Sequence, residues 1–398
     1  MELFELMSER RHEQLVFWND PDLGYRGIIA IHDTTMGPAL GGTRYWNYGN
    51  DREAVIDALR LSRGMTYKAA ITGLNLGGGK SVIWGDNRKA NREMIFRAHG
   101  RAVDSLHGRY ITAEDVGTSP DDMEYISMET EYVVGRHGRS GDPSPITAYG
   151  VYHGIKACAA IKYGSDGLEG RHVTVQGLGH VGYYLCAHLA EEGAKLTVTD
   201  LDAERVARVA EEFGARAVGA DDIYSVDADV FAPCAMGAVI NDETIDMLKV
   251  DIVAGAANNQ LARGLVHGPA LHQRGILYAP DYVINAGGLI NVYGELNDWT
   301  ADRSKWKAGE IYGTLLRIFE LAKSDGLGPH LAANKVAEAR ILEAIDNLRA
   351  VLTRPGFSAD EIAVLRGLFA SFDRFSRPGQ RVPGEKSAAR GKARGIEE

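Results

Sequence analysis

The chain has 398 residues, of which 47 are glycine and 12 proline, and it carries 44 Lys and Arg against 54 Asp and Glu, a net charge of −10. Glycine stands well above the roughly 7% of an average protein, yet no Gly-X-Y period runs through the sequence, so collagen-like and low-complexity classes are excluded. The acidic balance argues against a nucleic-acid partner, and no apolar run approaches the roughly 18 residues of a membrane span. The three cysteines, Cys158, Cys186 and Cys234, show no CxxC pairing, which fits buried reduced thiols in a cytoplasmic protein and no metal site. The acidic start Met1-Glu2-Leu3-Phe4-Glu5 is unlike a signal peptide.

Leu15–Trp18 and Ile28–Ile31, separated by a turn at Asn19-Asp20-Pro21-Asp22, read as a hairpin. Val55, Ala58, Leu59, Ser62, Met65 and Ala69 then recur at helical spacing. A glycine-rich turn at Gly77-Gly78-Gly79-Lys80 is expected to feed a short strand at Ser81–Trp84, followed by a helix near 91–106 and a strand at Arg109–Ala113. Ser119-Pro120-Asp121-Asp122 is a helix start, with a capping serine, proline in the first turn and an acid three residues on. After Pro143 and Pro145, apolar runs near 172–176, 195–199, 216–218, 229–232, 251–255 and 276–279 alternate with helical stretches. That alternation predicts a parallel, doubly wound sheet. Helices return at Ala332–Leu352 and Ser358–Phe372 and are expected to pack on the first domain; 377–398, with six Lys and Arg and little apolar content, read as a disordered tail. The expected domains are 1–146 with 331–376, and 147–330.

Val173–Gln176 runs into Gly177-Leu178-Gly179-His180-Val181-Gly182, and Asp200 closes the next strand 23 residues after Gly177. A lone G-x-G-x-x-G is weak, but strand, helix and acidic residue together make a dinucleotide fingerprint. Gly177 serves the tight turn, Gly179 the approach of the pyrophosphate, and Gly182 the packing of helix on strand. Asp200 would accept bonds from ribose hydroxyls and repel a 2′-phosphate, which favours NAD over NADP. His180, at the loop edge, is assigned no chemistry.

Gly77-Gly78-Gly79-Lys80-Ser81 resembles a P-loop only superficially, because position 74, where the first glycine would stand, is Leu74. Lys68, Lys80 twelve residues later, and Asp115 each read alone as surface charges. Together they lie in apolar or glycine-rich surroundings. Two desolvated lysines disfavour each other's charge, which would leave one of them a base near neutral pH.

The segments Ile31–Thr34 through Gly41–Arg44, Gly77–Lys80, Tyr110–Gly117, Phe231–Ala235 and Tyr278–Gly288 resemble the NAD-dependent amino acid dehydrogenases of the glutamate, leucine, phenylalanine and valine group, and within it the leucine branch most. The resemblance covers residues 1 to about 350. It implies two α/β domains: one for substrate and oligomerisation, the other a doubly wound Rossmann unit for NAD, with the active site in the cleft between them. It further implies that Lys68 holds the substrate carboxylate, that Lys80 acts through a water on the imine carbon, and that Asp115 shuttles a proton to and from the amino group. Gly41 and Gly42 would bring backbone close to the substrate, Met65 would join the substrate-binding wall, and Ala256, Asn258, Asn259 and Asn285 would line the nicotinamide and its ribose. Homo-oligomers, often octamers, are implied too, with an L-amino acid, a 2-oxo acid and ammonium as the small-molecule partners.

By the same resemblance Leu40, Ala113, Leu289 and Val292 line the side-chain pocket. All are apolar, so a second carboxylate such as glutamate's would stand unpaired there. Branched aliphatic side chains differ by methyl groups worth only about 1–3 kcal/mol each, so overlapping specificity centred on leucine is expected, with phenylalanine or valine as the alternatives. Leu289, where valine is common in the family, is expected to trim the pocket.

Overall fold

The computed structural model describes residues 2–88, 91–138 and 141–352. The helix expected at Ser358–Phe372 and the tail at 377–398 lie outside the described residues.

The first half runs α1 (Leu3–Arg10), β1 (Gln14–Asp20), β2 (Tyr25–Asp33), β3 (Ala39–Trp46), α2 (Asp51–Ile71), β4 (Gly77–Trp84), α3 (Arg92–Asp104), β5 (Tyr110–Glu114) and α4 (Pro120–Ser127). Its five strands lie in the order β1-β2-β4-β3-β5. The hairpin pairs β1 with β2 antiparallel, and β3 joins β4 and β5 in parallel. Ile28, Ala30 and Val82 put one sheet face under Ala54, Val55, Ala58 and Leu59 of α2. Alternate residues Ile29, Ile31 and Ala39 meet Ala102 and Val103 of α3 on the other face. This is the period-two arrangement of a sheet covered on both sides. Asn50 caps α2 by accepting from Glu53 N, and Ser119 with Asp122 forms the capping box of α4 that the sequence predicts.

Two expectations are corrected here. The glycine-rich stretch is no turn: β4 begins at Gly77, which pairs with Ala39, while Gly78 pairs with Leu40. Residues 39–46, for which no strand was expected, form β3. Glycine lowers strand propensity and masks a strand, but here each glycine admits a close neighbour. A Cβ on Gly78 would lie 2.1 Å from Thr66 N of α2, and one on Gly41 would lie 1.8 Å from the Gly79 carbonyl oxygen.

The second half runs α5 (Ser144–Tyr163), β6 (His172–Gln176), α6 (His180–Glu191), β7 (Lys195–Thr199), α7 (Ala203–Phe213), β8 (Arg216–Ala217), β9 (Asp227–Pro233), β10 (Lys249–Val253), α8 (Gly264–Gln273), β11 (Leu277–Tyr278), α9 (Asp281–Ile284), α10 (Gly287–Leu296), α11 (Ala301–Gly309), α12 (Ile311–Asp325) and α13 (Pro329–Leu352). All six strands are parallel, in the order β11-β10-β9-β6-β7-β8. The chain therefore winds out one way from β6 and returns to wind the other way from β9. That leaves a crevice at their carboxyl ends, where open α/β sheets take ligands. The last helix returns to the first half, where Arg340 donates to the carbonyl of Ala70 at 2.9 Å and Tyr67 donates to Glu338 at 2.7 Å. Cys158 and Cys186 are buried and Cys234 is partly buried, all as free thiols. None of the described helices is long and apolar enough to cross a membrane.

Candidate active site

A cavity of about 420 Å³ opens between the two halves. The glycines of β4 explain how it is furnished. Because Gly78 has no side chain, α2 lies directly on β4. Lys80, two residues along the same strand face, and Lys68, one turn beyond Gly64 and Met65 on the same face of α2, therefore both reach the cavity. Asp115, just past the end of β5, faces them. Its Oδ2 lies 2.9 Å from Lys80 Nζ and 2.8 Å from Arg44 Nε.

These charges are shielded from water. Lys80 is only 4% exposed, and burial pulls its ammonium below the ordinary lysine value despite the carboxylate beside it. Burial likewise pulls Lys68 down to about 8, with Lys80 adding to the effect and Asp281 opposing it. Burial works to raise Asp115, but Lys80 and Arg44 outweigh it and hold the carboxyl below its usual range. The set thus pairs a carboxylate with a lysine that releases its proton more readily than usual, the requirement for a general base near neutral pH.

Leu40, Gly42, Met65, Ala113, Leu289 and Val292 line the same cavity, as do Asn258 and Asn259. Leu40 and Ala113 are almost fully buried, so the side-chain end of the cavity is apolar. Gly42 has Asp115 Cβ 2.8 Å from the place its own Cβ would occupy. Gly41 lies one step behind, and its space is filled by β4 rather than opened to the cavity. From the opposite wall, Asn285 Oδ1 accepts a bond from Lys68 Nζ at 2.8 Å. Its amide donates to the Ala256 carbonyl at 3.0 Å and to Asn258 Oδ1 at 2.7 Å, so one side chain orders that wall.

The glycine loop lies at the crevice between β6 and β9. Gly177 has φ +95°, and a Cβ there would lie 2.5 Å from Ala235 Cβ beyond β9. A Cβ on Gly182 would lie 1.9 Å from the Gly177 carbonyl oxygen, so α6 starts hard against the turn, with Val181 packed into the core. Gly179, at the start of α6, has nothing nearer to its Cβ position than Arg205 Nη1 at 3.9 Å. This open space at a helix amino terminus is what a pyrophosphate needs, so the residues present fit a dinucleotide. Leu178, Gly179 and His180 border a cavity of about 300 Å³, and His180 Nδ1 lies 3.0 Å from Asp142 Oδ2. Asp200 accepts from Leu178 N at 2.5 Å and Asp202 N at 2.9 Å, which ties it to the loop, while Asp202 is the residue that caps α7.

The expected residues thus fall into two groups, those around the Lys80 cavity and those of the glycine loop. Sequence reasoning gave no role to Arg44, Asp57, Arg60 or Asp281. Arg44 and Asp281 stand inside the motifs Gly41–Arg44 and Tyr278–Gly288, a signal that was available. Asp57 and Arg60 sit on α2 among ordinary surface charges and gave none. Among the described residues, no group of His, Cys, Asp or Glu is arranged to hold a metal ion.

Comparison with known proteins agrees across both halves. Residues 12–132 match the family model described as the Glu/Leu/Phe/Val dehydrogenase dimerisation domain, and residues 196–345 match Glutamate/Leucine/Phenylalanine/Valine dehydrogenase. The chain is 58% identical over 344 residues to leucine dehydrogenase from Bacillus subtilis strain 168, covering 86% of this chain and 94% of that one. It is 56% identical to leucine dehydrogenase from Geobacillus stearothermophilus, with the same shares of the two chains covered. Among solved structures, L-tryptophan dehydrogenase from Nostoc punctiforme superposes with a TM-score of 0.78 at 48% identity, covering 86% of this chain and 99% of that one.

Proposed function

The chain belongs to the Glu/Leu/Phe/Val dehydrogenase family, and on that premise we propose that it catalyses the reversible NAD-dependent oxidative deamination of L-leucine and other branched-chain L-amino acids. The products are the 2-oxo acid, ammonium and NADH. The observation that carries this reading is the Lys80–Asp115 pair, 2.9 Å apart, in a cavity that Lys68 shares with the apolar Leu40, Ala113, Leu289 and Val292.

Lys68, still largely protonated at neutral pH, binds the substrate carboxylate and exchanges its bond to Asn285 for one to the anion. Asp115 accepts a proton from the substrate ammonium and leaves a neutral amine. A bound nicotinamide would supply the acceptor for the hydride that leaves the substrate Cα. Lys80 then removes a proton from a water as it adds to the iminium carbon. Asp115 returns a proton to the nitrogen, and the C–N bond breaks as the hydroxyl proton passes to the departing ammonia, leaving the 2-oxo acid and ammonium, while Lys80 gives its proton to solvent. The dinucleotide would be held by Gly177, Gly179 and Gly182 at the start of α6, with Asp200 beside the adenosine ribose. Its negative charge supports NAD over NADP. Family membership implies a nicotinamide cofactor.

Leu40, Ala113, Leu289 and Val292 offer no cation to a distal carboxylate, which disfavours glutamate. The leucine dehydrogenases at 56–58% identity support leucine over larger side chains. A homo-oligomer is also proposed. It is supported by the dimerisation-domain match and by edge strand β1, whose Phe17 is 52% exposed. A panel of L-amino acids followed by NADH formation tests the substrate, with kcat/KM expected highest for leucine and lower for isoleucine and valine. A maximum on phenylalanine, tryptophan or glutamate would overturn the leucine assignment.

A further inference from the structure

Arg44 has no part in the scheme above, yet it bridges two carboxylates. Its Nε reaches Asp115 Oδ2 at 2.8 Å and its Nη1 reaches Asp57 Oδ2 at 2.8 Å. Asp57, one turn before Arg60 in α2, also accepts from Tyr48 OH at 2.7 Å and from Arg60 Nη2 at 2.9 Å. Arg60 Nη1 then donates to Asn259 Oδ1 at 3.2 Å, on the opposite wall of the cleft. The chain of contacts runs unbroken from Asp115 to the loop after β10.

We propose that Arg44 and Asp57 are positioning residues for Asp115, fixing its Oδ2 so that Oδ1 meets the substrate amino group, and that Arg60 extends this hold across the cleft to Asn259. Lys80 and Arg44 both bind Oδ2, and Oδ1 has no protein donor among the described residues. A guanidinium suits this task because its planar fork serves two carboxylates at once in fixed directions, which an ammonium does not. Asp57 offsets the second cation. Without it, Arg44 and Lys80 would set two positive charges against one carboxylate. The groups facing Asp115 are Lys80 from β4, Arg44 from β3, Lys68 from α2 and Tyr110 from β5 itself, while Asp57 of α2 acts on Lys80 and Arg44. Arg44 lowers the proton affinity of Lys80 and Asp57 raises it, so removing one or the other moves the Lys80–Asp115 pair in opposite directions.

The inference rests on the proposed roles of Lys80 and Asp115, and the experiment keeps the two apart. The pH dependence of kcat/KM for leucine oxidation is measured for the wild type, Lys80→Ala, Arg44→Gln, Asp57→Asn and Arg60→Met, with circular dichroism as the control for folding. Lys80→Ala with near wild-type activity would sink the catalytic reading itself. Given its inactivity, Arg44→Gln is expected to move the acid limb to higher pH and Asp57→Asn to lower pH. Each should lose about tenfold in kcat while the leucine KM stays within about threefold. Limbs that do not move, or that move the same way, overturn the proposal, as does a loss of activity that tracks a loss of folded protein. If Arg44→Gln does not fold, Asp57→Asn decides alone by the direction of its limb. Arg60→Met should cost about threefold in kcat and add nothing to Asp57→Asn; additive losses would cut Arg60 out of the chain.

Discussion

Gly78 in β4 and Gly179 at the start of α6 are both glycine for reasons of space, and the space is opposite in kind. A side chain at Gly78 would strike the backbone of α2, whereas one at Gly179 would project into an opening. The first glycine presses two elements together so that Lys68 and Lys80 share a cavity. The second keeps a place clear for a ligand. The same contrast separates the walls: one holds the buried Lys80 with the half-buried Lys68 and Asp115, and the other presents backbone and amides arranged by Asn285. Chemistry is concentrated on the first wall and recognition on the second.

The contrast can be broken at either wall. Gly78→Ala should have the largest effect on stability, forcing α2 off β4 at a cost of about 3 kcal/mol or more. It should lower the melting temperature by several degrees in a thermal scan, while Gly179→Ala should leave that temperature near wild type and raise the KM for NAD. If both variants change only the KM for NAD, the distinction between them is false. Lys68→Ala should lower kcat/KM for leucine by about ten- to a hundredfold, the worth of a charge-assisted bond. Because Lys68 titrates at about 8, the carboxylate-binding form is lost as pH rises through that value, so the leucine KM of the wild type should climb above it. In Lys68→Ala this climb should vanish. A smaller effect than that of Lys68→Ala is expected for Asp200→Ser, which should narrow the preference for NAD over NADP by about tenfold. An unchanged ratio would show that Asp200 serves only its bonds to Leu178 N and Asp202 N.

How much could be read in advance differs between the walls for a physical reason. The cofactor wall was legible because its constraint is local: Gly177, Gly179 and Gly182 follow their strand and open their helix within a few residues, and β6 to β11 announce themselves by apolar runs. The substrate wall depends on packing between segments far apart in sequence. Lys68, Lys80 and Asp115 were picked out by residue type and by resemblance, but nothing in their spacing fixes the 2.9 Å approach of Lys80 to Asp115. Gly77, Gly78 and Gly79 read as a turn because glycine is a poor strand former, and their reasons for being glycine lie in the Asp33 carbonyl, in α2 and in Tyr110 respectively. Asp57 and Arg60 gave no signal at all, since an acid and a base three residues apart on a helix are usually a solvated surface pair.

The most direct test of the account is Lys80→Ala, assayed for both functions at once. Fluorescence titration should show NADH binding within about threefold of wild type, while leucine oxidation falls by about a thousandfold, as expected for loss of a general base. Turnover within tenfold of wild type, with the protein folded and NADH bound, would contradict the assignment of the chemistry to this wall.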